Sequence, residues 1–175
     1  MSRAVLISIR PKWCELIASG QKTVEVRKAR PNLDTPFKCY IYQTGEYISV
    51  NVLSPYAGKR RPGKVIGEFT CTKIDRYVRV GTMMDNAAYL NVLPDSYTKP
   101  IDFDSLCLSS AKLNEYGKGK QLYGWHISGL VIYDKPKELG EFWSWNTGVV
   151  FKDGYPMPTH EIKRPPQSFM YVEEL

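Results

Sequence analysis

Period-two alternation of β-branched and aromatic residues recurs along this chain and commits most of it to strands. "AVLISI" (residues 4–9) is a solid apolar run of the kind a doubly covered strand needs. "FKCYIYQT" (37–44), "KVIGEFTCTKIDRY" (64–77) and "QLYGWHISGLVIYD" (121–134) alternate or are aromatic-rich, and "SFMYVEEL" (168–175) closes the chain as a last strand. Helices have to fit between these runs. Pro11 suits the first turn of one. "PKWCELIASG" then puts Trp13, Leu16 and Ile17 on one helical face, with Gly20 at the position just past its end. "SSAKLNEYG" predicts a second short helix, opened by Ser109 or Ser110 and stopped by Gly117. The pattern is weak over 78–104, where a helix around 83–90 is expected. Gly67 is a candidate bulge, and Asp153-Gly154 is a hairpin signal. Many strands and few short helices predict an α+β domain around a curved, mostly antiparallel sheet or small barrel.

A length of 175 residues is that of one domain. Such a chain buries about 70% of its unfolded surface and needs no disulfide to hold it. Lys and Arg number 24 against 18 acidic residues, a net charge of +6. That excess favours an anionic partner, nucleic acid ahead of a membrane surface. The start of the sequence lacks a basic-then-apolar leader, and no apolar run is long enough to span a membrane, so the expected location is the cytoplasm. Cys14, Cys39, Cys71 and Cys107 form no Cys-x-x-Cys pair. Cys39 alternates in phase with Phe37 and Ile41, and Cys71 with Val65 and Phe69, as small buried hydrophobes do. Reduced thiols, no zinc and no disulfide are expected.

Three clusters of residues carry chemistry. In "GQKTVEVRK" (20–28), alternation sends Val24 and Val26 inward and puts Thr23, Glu25 and Arg27 on the opposite face, with Lys22 at the entry. A solvated strand face, a nucleic-acid contact and a catalytic site are all open readings. A carboxylate between two cations stays ionised and can accept from a base or ribose while the cations hold phosphate. "QLYGWHIS" sets Tyr123, Trp125 and His126 near Lys118 and Lys120, which suits base stacking beside phosphate contact and equally suits a core stripe. His126 lies on the other face and has no partner legible in the sequence. "GEYISVNVLSPYAGKRRPGK" (45–64) predicts a loop or irregular hairpin, and its basic tip gathers Lys59, Arg60, Arg61 and Lys64, either a phosphate contact or a solvated loop. No nucleophile elbow, Walker loop or dinucleotide fingerprint is present, and two histidines are too few for a His-rich metal site. No cofactor is expected.

"LISIRPKWCELIASGQKTVEVRK" resembles the ASCH domain family of the PUA-like superfamily. The resemblance rests on a strand, a helix and then Gly-x-Lys-x-x-Glu-x-Arg, here Gly20, Lys22, Glu25 and Arg27. "GKVIGEF", "YGWHISGLVIYDKPKEL" and "RPPQSFMYVEE" also resemble a subgroup of small ASCH proteins of bacterial and prophage genomes. The resemblance implies a single PUA-like domain over 1–175, a curved, mostly antiparallel β-barrel with a few short helices. It further implies a positively charged cleft that binds RNA or a nucleotide-like ligand.

The residues expected to serve that cleft are Lys22 and Arg27 for phosphate, Glu25 for a base or ribose, and Trp125 or Trp13 as an apolar wall. Arg10, Arg60 and Arg61 are added as cations near or beside it, and 165–168 ("PPQS") as polar groups. The alternative is a small hydrolase acting on a modified nucleoside or on RNA. Family members that resemble acetylcytidine amidohydrolases pair a Lys with a Thr three residues on and a distant Glu. Lys22 matches the Lys, and Glu68 is a candidate for the distant carboxylate. Glu25 stands where the Thr would be, and Thr23 is two residues away. No residue is therefore assigned a catalytic role. A third reading is an accessory protein that binds another protein through its basic surface. The oligomeric state stays open.

Overall fold

The computed structural model describes residues 2–81, 88–94, 97–145 and 160–175. They build an α+β fold around a mixed sheet with a few short helices. The chain forms two compact units, residues 1–15, 37–69 and 130–175 in one and 16–36 and 70–129 in the other.

In the first unit, β1 (Arg3–Ile9) lies between two neighbours. It pairs parallel with β3 (Phe37–Gln43), Val5 opposite Cys39 and Ile7 opposite Ile41. It pairs antiparallel with β10 (Phe169–Glu173), Val5 opposite Tyr171. Every residue of β1 after Arg3 is buried, the reason its sequence is solidly apolar rather than alternating. The core here is Ala4, Leu6, Tyr40, Tyr42, Val65, Phe142, Ile162 and Val172. Tyr40 and Phe142 meet edge to face at 5.0 Å between ring centres. A parallel pair needs a crossover, and the chain makes it through α1 (Pro11–Ala18) and β2 (Val24–Arg27).

A small hairpin of β4 (Glu46–Tyr47) and β5 (Arg60–Arg61) follows β3. Of the two readings of 45–64, a loop or an irregular hairpin, the hairpin holds, and Arg60 and Arg61 sit in its ladder opposite Tyr47 and Glu46. Gly67 does not interrupt its strand, β6 (Lys64–Val80). A Cβ there would stand 2.4 Å from the carbonyl oxygen of Val131, so close strand approach favours the glycine.

In the second unit, the later part of β6 pairs antiparallel with β7 (Ala88–Val92), and β7 with β8 (Thr98–Lys99). β7 corrects part of the helix expected around 83–90. "AYLNV" buries Tyr89 and Asn91 with period two against β6, and that pairing outweighs a weak helical pattern. Residues 82–87 lie outside the described residues, as does the hairpin signal at Asp153-Gly154. β9 (Leu122–Lys137) pairs with β2 and continues through Pro136. Two short helices precede it. α2 (Phe103–Leu106), unforeseen in the sequence, is capped by Asp102, whose side chain accepts from the Asp104 and Ser105 amides. α3 (Ser110–Gly117) is capped by Ser109, which accepts from Lys112 N at 3.3 Å. Its left-handed stop falls on Lys118 (φ 49°) rather than on Gly117. The core is Val24, Val26, Tyr77, Tyr89, Ile101, Leu106, Leu113 and Leu122.

The strand ladders do not close into a barrel among the described residues. No helix among them is long and apolar enough to cross a membrane.

Candidate functional site

Gly20 ends α1 as its sequence position demands. Its φ is +76°, and its amide donates to the Ile17 carbonyl at 3.0 Å. Two residues on, the Lys22 amide returns to the Leu16 carbonyl at 2.9 Å. The chain then enters β2 with Thr23 tied on both sides: its amide donates to Ser105 O, and its carbonyl accepts from Ile127 N. Alternation follows as predicted. Val24 and Val26 enter the core, and Glu25 and Arg27 take the other face. The reading as a solvated face is overturned for these two. All four residues of β2 are buried, and Lys22 with them.

Three of these side chains converge. Lys22 Nζ lies 3.5 Å from Glu25 Oε2, and Arg27 Nε lies 3.1 Å from Glu25 Oε1. Lys22 Nζ also donates to the carbonyl of Leu106, the last residue of α2, at 2.7 Å. Their exposures are 2%, 6% and 8% for Lys22, Glu25 and Arg27. Burial pulls the Lys22 ammonium below its ordinary pKa, and Glu25 beside it opposes that pull. Within the three, two cations share one carboxylate.

The ladder sets the neighbours. Across β2–β9, Glu25 stands opposite Trp125 and Arg27 opposite Tyr123, so both aromatics share the charged face. Val26 stands opposite Gly124, which Tyr77 covers from the core side. Tyr116 of α3 completes the surroundings. Its hydroxyl pKa is raised mainly by burial, with Arg27 lowering it and Glu25 raising it. Lys28 Nζ sits 4.8 Å from the centre of the Tyr116 ring. Trp125 is fully buried, while Tyr116 is exposed. Lys22, Glu25 and Arg27 are thus buried, whereas Tyr116 and Lys28 are exposed.

The other expected residues are placed in the first unit. Arg10, exposed after β1, uses its carbonyl to open α1, accepting from Trp13 N and Cys14 N. Trp13 is half-buried with Lys12 Nζ 5.4 Å from its ring centre. Arg61 pairs with Glu46, and Arg60 donates to Gly45 O at 2.9 Å. Glu68 belongs to a separate group in that unit, accepting from Tyr133 Oη at 2.5 Å and pairing with Lys38 at 3.1 Å. Burial would raise its carboxyl, but Tyr133 and Lys38 together hold it low. Within 165–168, the Pro166 carbonyl accepts from Ser8 Oγ at 2.6 Å.

Sequence reasoning missed Tyr116, the Leu106 carbonyl and the partners of His126. His126 Nε2 lies 2.8 Å from Asp75 Oδ2, and Lys73 Nζ lies 2.6 Å from Asp75 Oδ1. Only the alternation of Lys73 and Asp75 on one strand face hinted at the last of these, and nothing in the sequence brings β6 beside β9. All four cysteines are thiols, none in a disulfide, and Cys39 and Cys71 are buried as their strand phase requires.

A strand, a short helix, a left-handed glycine and a buried Lys–Glu–Arg cluster that runs into the next strand follow one another here. Residues 7–128 match the model of the ASCH domain, and the chain belongs to that family. The match contains Lys22, Glu25, Arg27, Tyr116, Tyr123 and Trp125. Among solved structures, the chain is similar to the crystal structure of ASCH from Zymomonas mobilis, with a TM-score of 0.57 and 18% identity over 98% of this chain and 88% of that one. Two point mutants of the same Zymomonas mobilis protein match with TM-scores of 0.55 and 0.56, at 19% and 18% identity. Each covers 98% of this chain, and 91% and 89% of its own. At that identity the likeness shows the fold. No curated protein matches the chain.

Proposed function

We propose that this protein is an RNA- or nucleotide-binding ASCH protein whose ligand is held at the Lys22–Glu25–Arg27 cluster. In this reading residues 1–175 act as one PUA-like, barrel-type domain. One observation carries it: the family's motif residues converge within ion-pair distance on a sheet face that also bears Trp125 and Tyr123. A phosphate would meet two cations already oriented by Glu25, which lowers the ordering cost of binding. The Glu25 carboxylate would accept from a base or ribose hydroxyl, and Tyr116 and Tyr123 would supply aromatic surface. Membership of the ASCH domain family, whose resemblance implies RNA or nucleotide binding, supports the same reading.

The test is binding of a fluorescent single-stranded RNA over a series of salt concentrations. Affinity should fall as salt rises, with a slope of about 0.7 per phosphate neutralised. Arg27→Ala should weaken all RNA sequences about equally and reduce that slope by one such step. No binding at low salt, or an unchanged slope in the variant, rejects the reading.

A second reading is a hydrolase of a modified nucleoside or of RNA. The observation that favours it is Lys22, buried with a lowered pKa beside a carboxylate, which is how acid–base groups are tuned. Glu25 in place of the amidohydrolase-like branch's Thr argues against acetylcytidine-type amidohydrolysis, since the nucleophile's position is occupied by a group already engaged by two cations. Turnover of a modified-nucleoside panel that disappears in Glu25→Gln while RNA binding persists would select this reading over the first.

A further inference from the structure

The hairpin of β4 and β5 encloses one side of a cleft of about 410 Å³, distinct from the Lys22–Glu25–Arg27 cluster and formed wholly within the first unit. That volume lies in the range of small-molecule sites. Its lining has three kinds of group. Tyr56, Ile66 and Pro136 are apolar surface, Gln43 and Thr44 offer neutral hydrogen-bonding groups, and Arg61 and Lys64 are cations. We propose that this cleft binds a nucleotide unit, free or within single-stranded RNA, its base against Tyr56 and its phosphate on Arg61 and Lys64.

Three observations support the assignment. First, the cations are accessible: the side chains of Arg61 and Lys64 are 45% and 44% exposed. Each is held by one carboxylate, Arg61 by Glu46 and Lys64 by Glu138 at 2.6 Å, and both acids are themselves solvent-exposed. Exposed ion pairs of this kind contribute little, so a phosphate can replace either acid while the pairs keep the cations in place beforehand. Second, the backbone at the cleft is closely packed. A Cβ on Gly45 would stand 2.4 Å from Arg61 O, and one on Gly63 would stand 2.3 Å from Gln43 O and 2.5 Å from Tyr42 Oη. Backbone packs directly on backbone there, which fixes Arg61, Gly63 and Gln43 relative to one another. Third, the mixture fits a nucleotide better than a plain anion. An aromatic ring and aliphatic surface beside two cations match a base joined to a phosphate, and Gln43 can read a base edge through both its donor and its acceptor.

The proposal does not rest on the reading of the β2 cluster, and its test reads the cleft locally. Amide resonances of Gly45 and Gly63 in the full chain would be followed during titration with uridine 5′-monophosphate, ribose 5-phosphate and hexauridylate. Uridine monophosphate should shift both amides saturably and more tightly than ribose 5-phosphate. Arg61→Ala should weaken it roughly tenfold. Tyr56→Ala should erase the preference over ribose 5-phosphate, and Tyr56→Phe should keep it. Tighter binding of hexauridylate identifies RNA as the source, and equal or weaker binding identifies the free nucleotide. Lys28→Ala should leave the uridine monophosphate shifts of Gly45 and Gly63 unchanged, because Lys28 does not line this cleft. No shift with any probe, or ribose 5-phosphate binding as tightly as uridine monophosphate, overturns the proposal.

Discussion

Glu25 faces Trp125 directly across the antiparallel β2–β9 ladder, and Lys22 and Arg27 both close on the Glu25 carboxylate. A buried carboxylate shared by two cations cannot be neutralised without consequence. Glu25→Gln keeps the shape and removes the charge, leaving two cations buried together. It should cost about 3–5 kcal/mol, read as a lower midpoint in chemical denaturation. Lys22→Met added to Glu25→Gln should recover part of that loss. Strict additivity of the two changes in a double-mutant cycle would show that the pair does not interact.

Gly124 lies against Tyr77. A Cβ there would be 2.2 Å from Tyr77 Oη and 2.6 Å from Cζ. Gly124→Ala should therefore destabilise by about 1–3 kcal/mol through overpacking. Gly20→Ala meets no atom within 4 Å but forces a side chain into φ +76°, at about 1–2 kcal/mol. The two mechanisms separate on adding Tyr77→Leu, which should relieve the first substitution and leave the cost of the second unchanged. Thermal melts of the four variants decide it.

Acid should find Asp75. Burial alone would raise its carboxyl, but hydrogen bonds from His126 and Lys73, with their charges, hold it at about 2. A folded pKa below the unfolded value of about 3.9 adds stability that is present above that value. It is lost as pH falls from about 4 toward 2. The contribution is of order 2 kcal/mol, since the carboxylate is only 10% exposed. Asp75→Asn should flatten the acid limb of stability against pH over that window and lower stability at neutral pH. An acid limb unchanged from the parent would contradict the assignment.

Thiol reactivity should follow burial. The Cys71 thiol is pushed up to about 11, chiefly by burial, and Cys14 and Cys39 are buried too. Cys107, half-buried after α2, is the accessible one. Iodoacetamide on the native protein should label Cys107 first, and all four thiols only after denaturation. Mass spectrometry of the labelled peptides reads the order directly.

Much of the fold was legible because short-range rules act alone in some places. Pro11 and Gly20 bracket α1, Ser109 opens α3, and solid or alternating apolar runs mark β1, β3, β6, β9 and β10. Where partners decide, sequence failed. "AYLNV" is a strand because β6 lies beside it, against the helix that its own pattern suggested.

The candidate site divides the same way. Alternation alone determined that Glu25 and Arg27 share a face apart from Val24 and Val26, because successive residues of a strand must point to opposite sides. The spacing of Gly20, Lys22, Glu25 and Arg27 carried the family. Only the tertiary structure decided that this charged face is buried, that Trp125 and Tyr123 stand across from it, and that Tyr116 and the Leu106 carbonyl join it. Only it gave His126 the Asp75 carboxylate, from 51 positions away. Burial and long-range partnership depend on which strands pair, and pairing is settled by the total surface the whole chain can remove from water. No local stretch of residues contains that sum.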